Sequence, residues 1–135
     1  MKLAFDIGGV ISKYPDQFKA LINSTTCEVF IITDMHDKAY VEEMLQMNDM
    51  SVASDHIYCA DYAKYGELCK AVLLKELKID MLFDDFMGYT SWNSAWGLAP
   101  IRLLVVPDPF KPYWHQDWKV KDESDFGRRV YNEQT

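Results

Sequence analysis

The sequence predicts an α/β fold built on a mainly parallel sheet of five strands with helices on both faces. Short runs rich in Val, Ile, Leu and Phe recur at about 3–6, 27–32, 56–60, 80–83 and 101–106, as in strands buried on both sides. Segments of helical period separate most of them, and this alternation implies right-handed crossovers between parallel strands. Three runs also end in polar groups: Leu3-Ala4-Phe5-Asp6, Val29-Phe30-Ile31-Ile32-Thr33-Asp34 and Met81-Leu82-Phe83-Asp84-Asp85. The carboxyl ends of strands are where open α/β sheets place their chemistry.

The first run passes from Asp6 into Ile7-Gly8-Gly9, a glycine turn. Pro15 suits the first turn of a helix, with Phe18, Leu21 and Ile22 on one side. The second run leads to a helix marked by Tyr40, Val41, Met44, Leu45 and Asn48. After the third run, Gly66–Lys78 reads as one helix, with Leu68, Ala71, Val72 and Leu77 inward and Lys70, Lys75 and Lys78 outward. The fourth and fifth runs follow. Pro107, Pro109 and Pro112 then forbid regular structure. Trp114 and Trp118 come next, then a polar stretch with helical character over 122–132.

At 135 residues the chain is read as a single domain 1–135. Its core spans about 1–106, and the aromatic, Pro-rich segment 107–135 packs onto it. The pairs Trp92/Trp96 and Trp114/Trp118 each repeat at one helical turn. They are expected to pack against the sheet, with docking of a protein partner or a second copy through the aromatic segment as the alternative.

A net charge of −7 argues against general binding to nucleic acid or to an anionic membrane. No apolar run approaches the roughly 20 residues that cross a bilayer, and Met1-Lys2-Leu3 lacks a signal-peptide layout. Cys27, Cys59 and Cys69 have neither disulfide-framework nor metal spacing. These features lead to the expectation of a cytoplasmic protein. His36, His56 and His115 show no ligand spacing and are expected to be structural or superficial.

If the three polar strand ends adjoin, roughly 4.8 Å apart, Asp6 and Asp84 form a like-charge pair that calls for a cation between them. An all-oxygen set of this kind suits Mg²⁺ together with a phosphate ligand. Thr33 would supply a hydroxyl, and Lys64, just after the third strand, a cation for a phosphate oxygen. Lys70 is the second choice for that cation, because it falls inside the expected helix.

With these pieces in this order, residues 1–106 resemble the haloacid dehalogenase-like superfamily, mostly Mg²⁺-dependent phosphatases with a Rossmann-like three-layer fold. The resemblance implies sheet order 5-4-1-2-3 and makes Asp6 the nucleophile, Thr33 the phosphate-binding hydroxyl and Lys64 the motif lysine. Asp84 and Asp85 become the acidic metal ligands, with the Gly8 carbonyl beside Asp6 in the metal set. A phosphorylated compound is the implied substrate, cleaved through an aspartyl-phosphate.

Two departures stand out. Family phosphatases carry an acid two residues after the nucleophile, and here that residue is Gly8. Loss of a general acid is worth about 10²–10⁴ in rate. A slow or specialised phosphatase remains, with Asp34, His36 or Asp37 standing in for the acid. So does a catalytically silent domain that binds metal, a phosphate ligand or a protein. Cleavage of another bond type has no positive support. Secondly, 26 residues between Asp6 and Thr33 leave room for a helix but not for a lid. Capless relatives tend to act on macromolecules or to be closed over by a partner.

Overall fold

A computed structural model describes residues 1–86, 101–104, 110 and 115–121, with 101–104 as backbone alone. Its sheet is parallel throughout. The strands are β1 (Lys2–Phe5), β2 (Glu28–Thr33), β3 (Ile57–Cys59), β4 (Met81–Asp84) and β5 (Ile101–Leu104), in spatial order β3-β2-β1-β4-β5. Read from the other edge, this is the order 5-4-1-2-3. The strand carrying Asp6 therefore lies between those carrying Thr33 and Asp84.

Successive side chains on a strand point to opposite faces, and two apolar layers result. Leu3, Phe5 and Ile31 enter one layer, together with Val41, Met44 and Leu45 of α2 (Lys38–Met47). Ala4, Phe30, Ile32 and Leu82 enter the other, capped by Leu74 of the helix that precedes β4. Helix α1 (Pro15–Ser24) packs through Phe18, whose ring meets those of Phe5 and Phe83 edge-on at 5.7 and 5.8 Å. Phe5 and Phe83 stack at 4.6 Å across adjacent strands.

Pro15 begins α1 as expected, and the Asp37 carboxylate caps α2 by accepting the Tyr40 amide at 3.1 Å. Between β1 and α1 the chain makes a tight helical turn, Ile7–Ile11, interrupted at Gly8 and Gly9. Gly9 has φ of +72°, the left-handed region that favours glycine.

The single helix expected over Gly66–Lys78 is corrected. Helix α3 (Tyr62–Tyr65) starts earlier, Gly66 breaks it at φ +72°, a short turn follows over Gly66–Leu68, and α4 runs Lys70–Glu76. The break resets the helical phase. The buried stripe becomes Lys70, Ala71 and Leu74, while Lys75 and Lys78 remain outward. The sequence pattern puts Lys70 outward, whereas the structure leaves it only 4% exposed.

The aromatic segment packs on the core through Trp118 and Val120 among its described residues. Trp118 is buried in the Phe5 layer, so it forms no part of an exposed aromatic patch. Residues 115–121 are tied down by His115 N–H donating to the Ser12 carbonyl at 2.9 Å and by Lys119 N–H donating to Asn48 Oδ1 at 2.9 Å. Trp92, Trp96, Trp114 and the stretch 122–132 lie outside the described residues. Among the described residues no helix is long and apolar enough to cross a membrane.

Candidate metal centre

Parallel pairing of β1 with β4 sets Phe5 beside Phe83, and Asp6 N–H continues the ladder by donating to the Phe83 carbonyl at 2.9 Å. One residue further on, Asp6 and Asp84 stand level at adjacent strand ends. Both are nearly buried. Two buried carboxylates side by side require a counter-charge, and the Lys70 ammonium supplies it. It lies 2.8 Å from Asp6 Oδ1 and 2.8 Å from Asp84 Oδ2. The remaining geometry orients the carboxylates. Asp6 Oδ1 also accepts the Ile7 amide at 2.8 Å, and Asp84 Oδ1 accepts the Phe86 amide at 2.9 Å.

Asp85 completes the cluster. Oxygens of Asp6, Asp84 and Asp85 lie within 4.8 Å of one another. Burial, reinforced by the Asp84 charge, pushes the Asp85 carboxyl up to about 6, while Lys70 and Lys13 pull it down. Asp85 reaches this place because Gly9 has no side chain, and a β-carbon there would overlap the Asp85 carboxylate. Three carboxylates offering oxygen alone fit a hard divalent cation such as Mg²⁺. They would hold it beside the Lys70 ammonium, which already occupies one oxygen each of Asp6 and Asp84.

Lys64, the first choice for the site cation, is corrected to Lys70. Lys64 lies on the exposed side of α3, where its amide bonds to the capping Asp61 carboxylate at 3.0 Å and its ammonium sits 5.0 Å from the Tyr65 ring centre. The Gly66 break then carries the chain on to α4, whose first residue faces the strand ends. One sequence signal pointed there: Lys70 precedes the fully buried Leu74 by four residues and so shares its stripe.

Thr33 ends β2 as expected and is fully buried. Its hydroxyl accepts the Met35 amide at 3.2 Å and shapes the loop into α2. Gly8 lies in the turn directly after Asp6, buried, with φ −65° and ψ 129°. Of the residues considered as substitute acids, Asp37 is engaged as the α2 cap and His36 is exposed. Asp34 is half-buried, and its charge reaches Cys69 beside Lys70. Burial pushes that thiol up to about 11, opposed by Lys70 and reinforced by Asp34. His56 stacks on Phe30 at 4.3 Å, and His115 Nδ1 accepts the Asp117 amide at 3.2 Å, both structural arrangements.

Comparison with known proteins finds no family model, no curated protein and no solved structure that matches the chain. The functional reading therefore stands on the geometry of the strand ends.

Proposed function

We propose that this chain is a Mg²⁺-dependent phosphohydrolase of the haloacid dehalogenase type, with Asp6 as nucleophile. The observation that carries the reading is the convergence of Asp6, Asp84 and Asp85 at the carboxyl end of a parallel sheet, with the Lys70 ammonium bridging Asp6 and Asp84. The strand order, with Asp6 on the central strand, supports the same reading. The substrate class is a phosphate monoester, and the cytoplasm is the compartment the reading assumes.

In the first step a carboxylate oxygen of Asp6 bonds to phosphorus as the ester oxygen departs, leaving an aspartyl-phosphate. Water then attacks phosphorus, returns the Asp6 carboxylate and releases inorganic phosphate. Lys70 holds Asp6 in place and offsets charge on the transferring group. A divalent cation held by Asp6, Asp84 and Asp85, with the Gly8 carbonyl as the further ligand the resemblance implies, would supply Lewis-acid stabilisation of the phosphoryl oxygens. Thr33 positions the loop that borders the site. With Gly8 in place of the usual acid, the departing oxygen is protonated slowly or by a neighbour such as Asp34. Leaving groups that need no proton are favoured.

A second reading is a silent domain that binds a metal or an anion. The 2.8 Å contacts of Lys70 to both Asp6 and Asp84 favour it, because an ammonium already neutralises the pair. Hydrolysis of an activated aryl phosphate with and without Mg²⁺ separates the two. Metal-dependent turnover that disappears in Asp6→Asn and rises in Gly8→Asp is the expected result. Silence of the native chain and of Gly8→Asp alike would sink the hydrolytic mechanism.

A further inference from the structure

Lys13 sits between the Ile7–Ile11 turn and α1, and it is 6% exposed. Among the described residues, no acceptor lies within hydrogen-bond or ion-pair distance of its ammonium. Lys70, equally buried, touches two carboxylates. The Lys13 stem is buried, and the ammonium itself keeps some exposure.

The backbone nevertheless holds Lys13 firmly. Its own N–H donates to the Val10 carbonyl at 3.2 Å. Just before it, Ser12 N–H donates to Ile7 O at 2.9 Å, Ser12 Oγ accepts the Gly9 amide at 3.1 Å, and the Ser12 carbonyl accepts the His115 amide at 2.9 Å. The turn pinned in this way is the one whose Gly9 lies against Asp85. The turn that leads into Lys13 is thus fixed beside the acidic cluster, and the Lys13 charge is felt at Asp85. The centre sets three carboxylates against two ammonium groups. Its net negative charge would be turned positive by one divalent cation, leaving Lys13 as the cation not committed to a carboxylate.

We propose that Lys13 is an oxyanion-binding residue of this centre, taking an oxygen of the phosphoryl group or of a second anionic group on the same ligand. The choice of phosphate as the oxyanion rests on the function proposed above. A charge-assisted contact of this kind is roughly twice as strong as a neutral one and is sensitive to loss of the charge.

The test is calorimetric titration of the full chain, with Mg²⁺ present, by inorganic phosphate in one arm and pyrophosphate in the other. In Lys13→Met, anion affinity is expected to fall about tenfold or more, and Lys13→Arg is expected to keep most of it. Mg²⁺ affinity without anion should be unchanged or tighter, since a repelling cation has gone. A loss confined to pyrophosphate places Lys13 on a second anionic group, and an equal loss in both arms places it on the phosphoryl group. Should Lys13→Met fail to fold, Lys13→Gln reads the same loss.

Native affinity for both anions in a folded neutral variant would overturn the proposal and leave Lys13 a structural counter-charge. Failure of the native chain to bind either anion would also overturn it. Asp6-dependent turnover with no effect at Lys13 would sink this inference alone. Phosphate binding through Lys13 without turnover would sink only the hydrolytic reading.

Discussion

Asp85 lies so close to Gly9 that a β-carbon on residue 9 would come within 2.6 Å of the Asp85 Cγ. The turn after β1 and the end of β4 are therefore fitted to each other, and the third carboxylate joins Asp6 and Asp84 only because residue 9 is glycine. Gly9→Ala pays twice, once for a left-handed backbone, about 1–2 kcal/mol, and again for the overlap. We expect lower stability in urea and weaker Mg²⁺ binding. Adding Asp85→Ala should recover the overlap part of the stability and leave the backbone part. Native stability and metal binding in Gly9→Ala would contradict this fit.

Lys70→Met leaves two buried carboxylates facing each other with their bridging cation removed. Breaking a buried ion pair by deleting one partner costs about 3–5 kcal/mol. Mg²⁺ should restore part of that loss, because the competing ammonium has gone and both freed oxygens can ligate. Denaturation with and without Mg²⁺ measures the difference. A variant as stable as the native chain in chelator would show that the bridge contributes little.

The Asp85 carboxyl, held up to about 6, gives a pH dependence with a definite sign. Its unfolded value is near 3.8, so between about pH 4 and pH 6 the folded chain binds more protons than the unfolded one. Through this group the stability of the metal-free protein falls as pH rises across that window, and it levels off above. Asp85→Asn removes this component. The melting-temperature advantage of the variant in chelator should therefore grow from pH 4.5 to pH 7.5. Mg²⁺ affinity of the native chain should strengthen over the same rise, because ligation requires the carboxylate. An advantage that does not change with pH would refute the assignment.

Asn48 ties residues 115–121 to α2. Its amide donates to Met44 O at 2.7 Å and to Lys119 O at 3.1 Å, and its oxygen accepts Lys119 N–H at 2.9 Å. Asn48→Ala should cost about 1–3 kcal/mol and speed amide exchange at His115 and Trp118, whose N–H groups bond to Ser12 O and His115 O. Unchanged protection at His115 would mean that burial of Trp118 alone holds the segment.

Most of the frame was legible along the chain. Five apolar runs became five parallel strands, Pro15 began α1, and Asp6, Thr33 and Asp84 stand at or beside strand ends. Strand identity is a local property, and a buried run announces it through its composition. The site cation was not legible in the same way. A left-handed Gly66 splits an apparent helix and shifts its phase, so Lys70, placed with the solvated lysines, faces inward while Lys64 stays in water. The burial of Lys13 left no local trace either.

By itself the sequence determined which residues form strands, where their polar ends fall and which carboxylates are available for chemistry. These properties depend on period, composition and chain order. Only the tertiary structure decided which cation meets Asp6 and Asp84, that Asp85 joins them through the gap at Gly9, and that Trp118 and Lys13 are buried. Those outcomes depend on strand register and helix phase across segments distant in sequence, and a glycine at positive φ can redirect both without altering the local pattern.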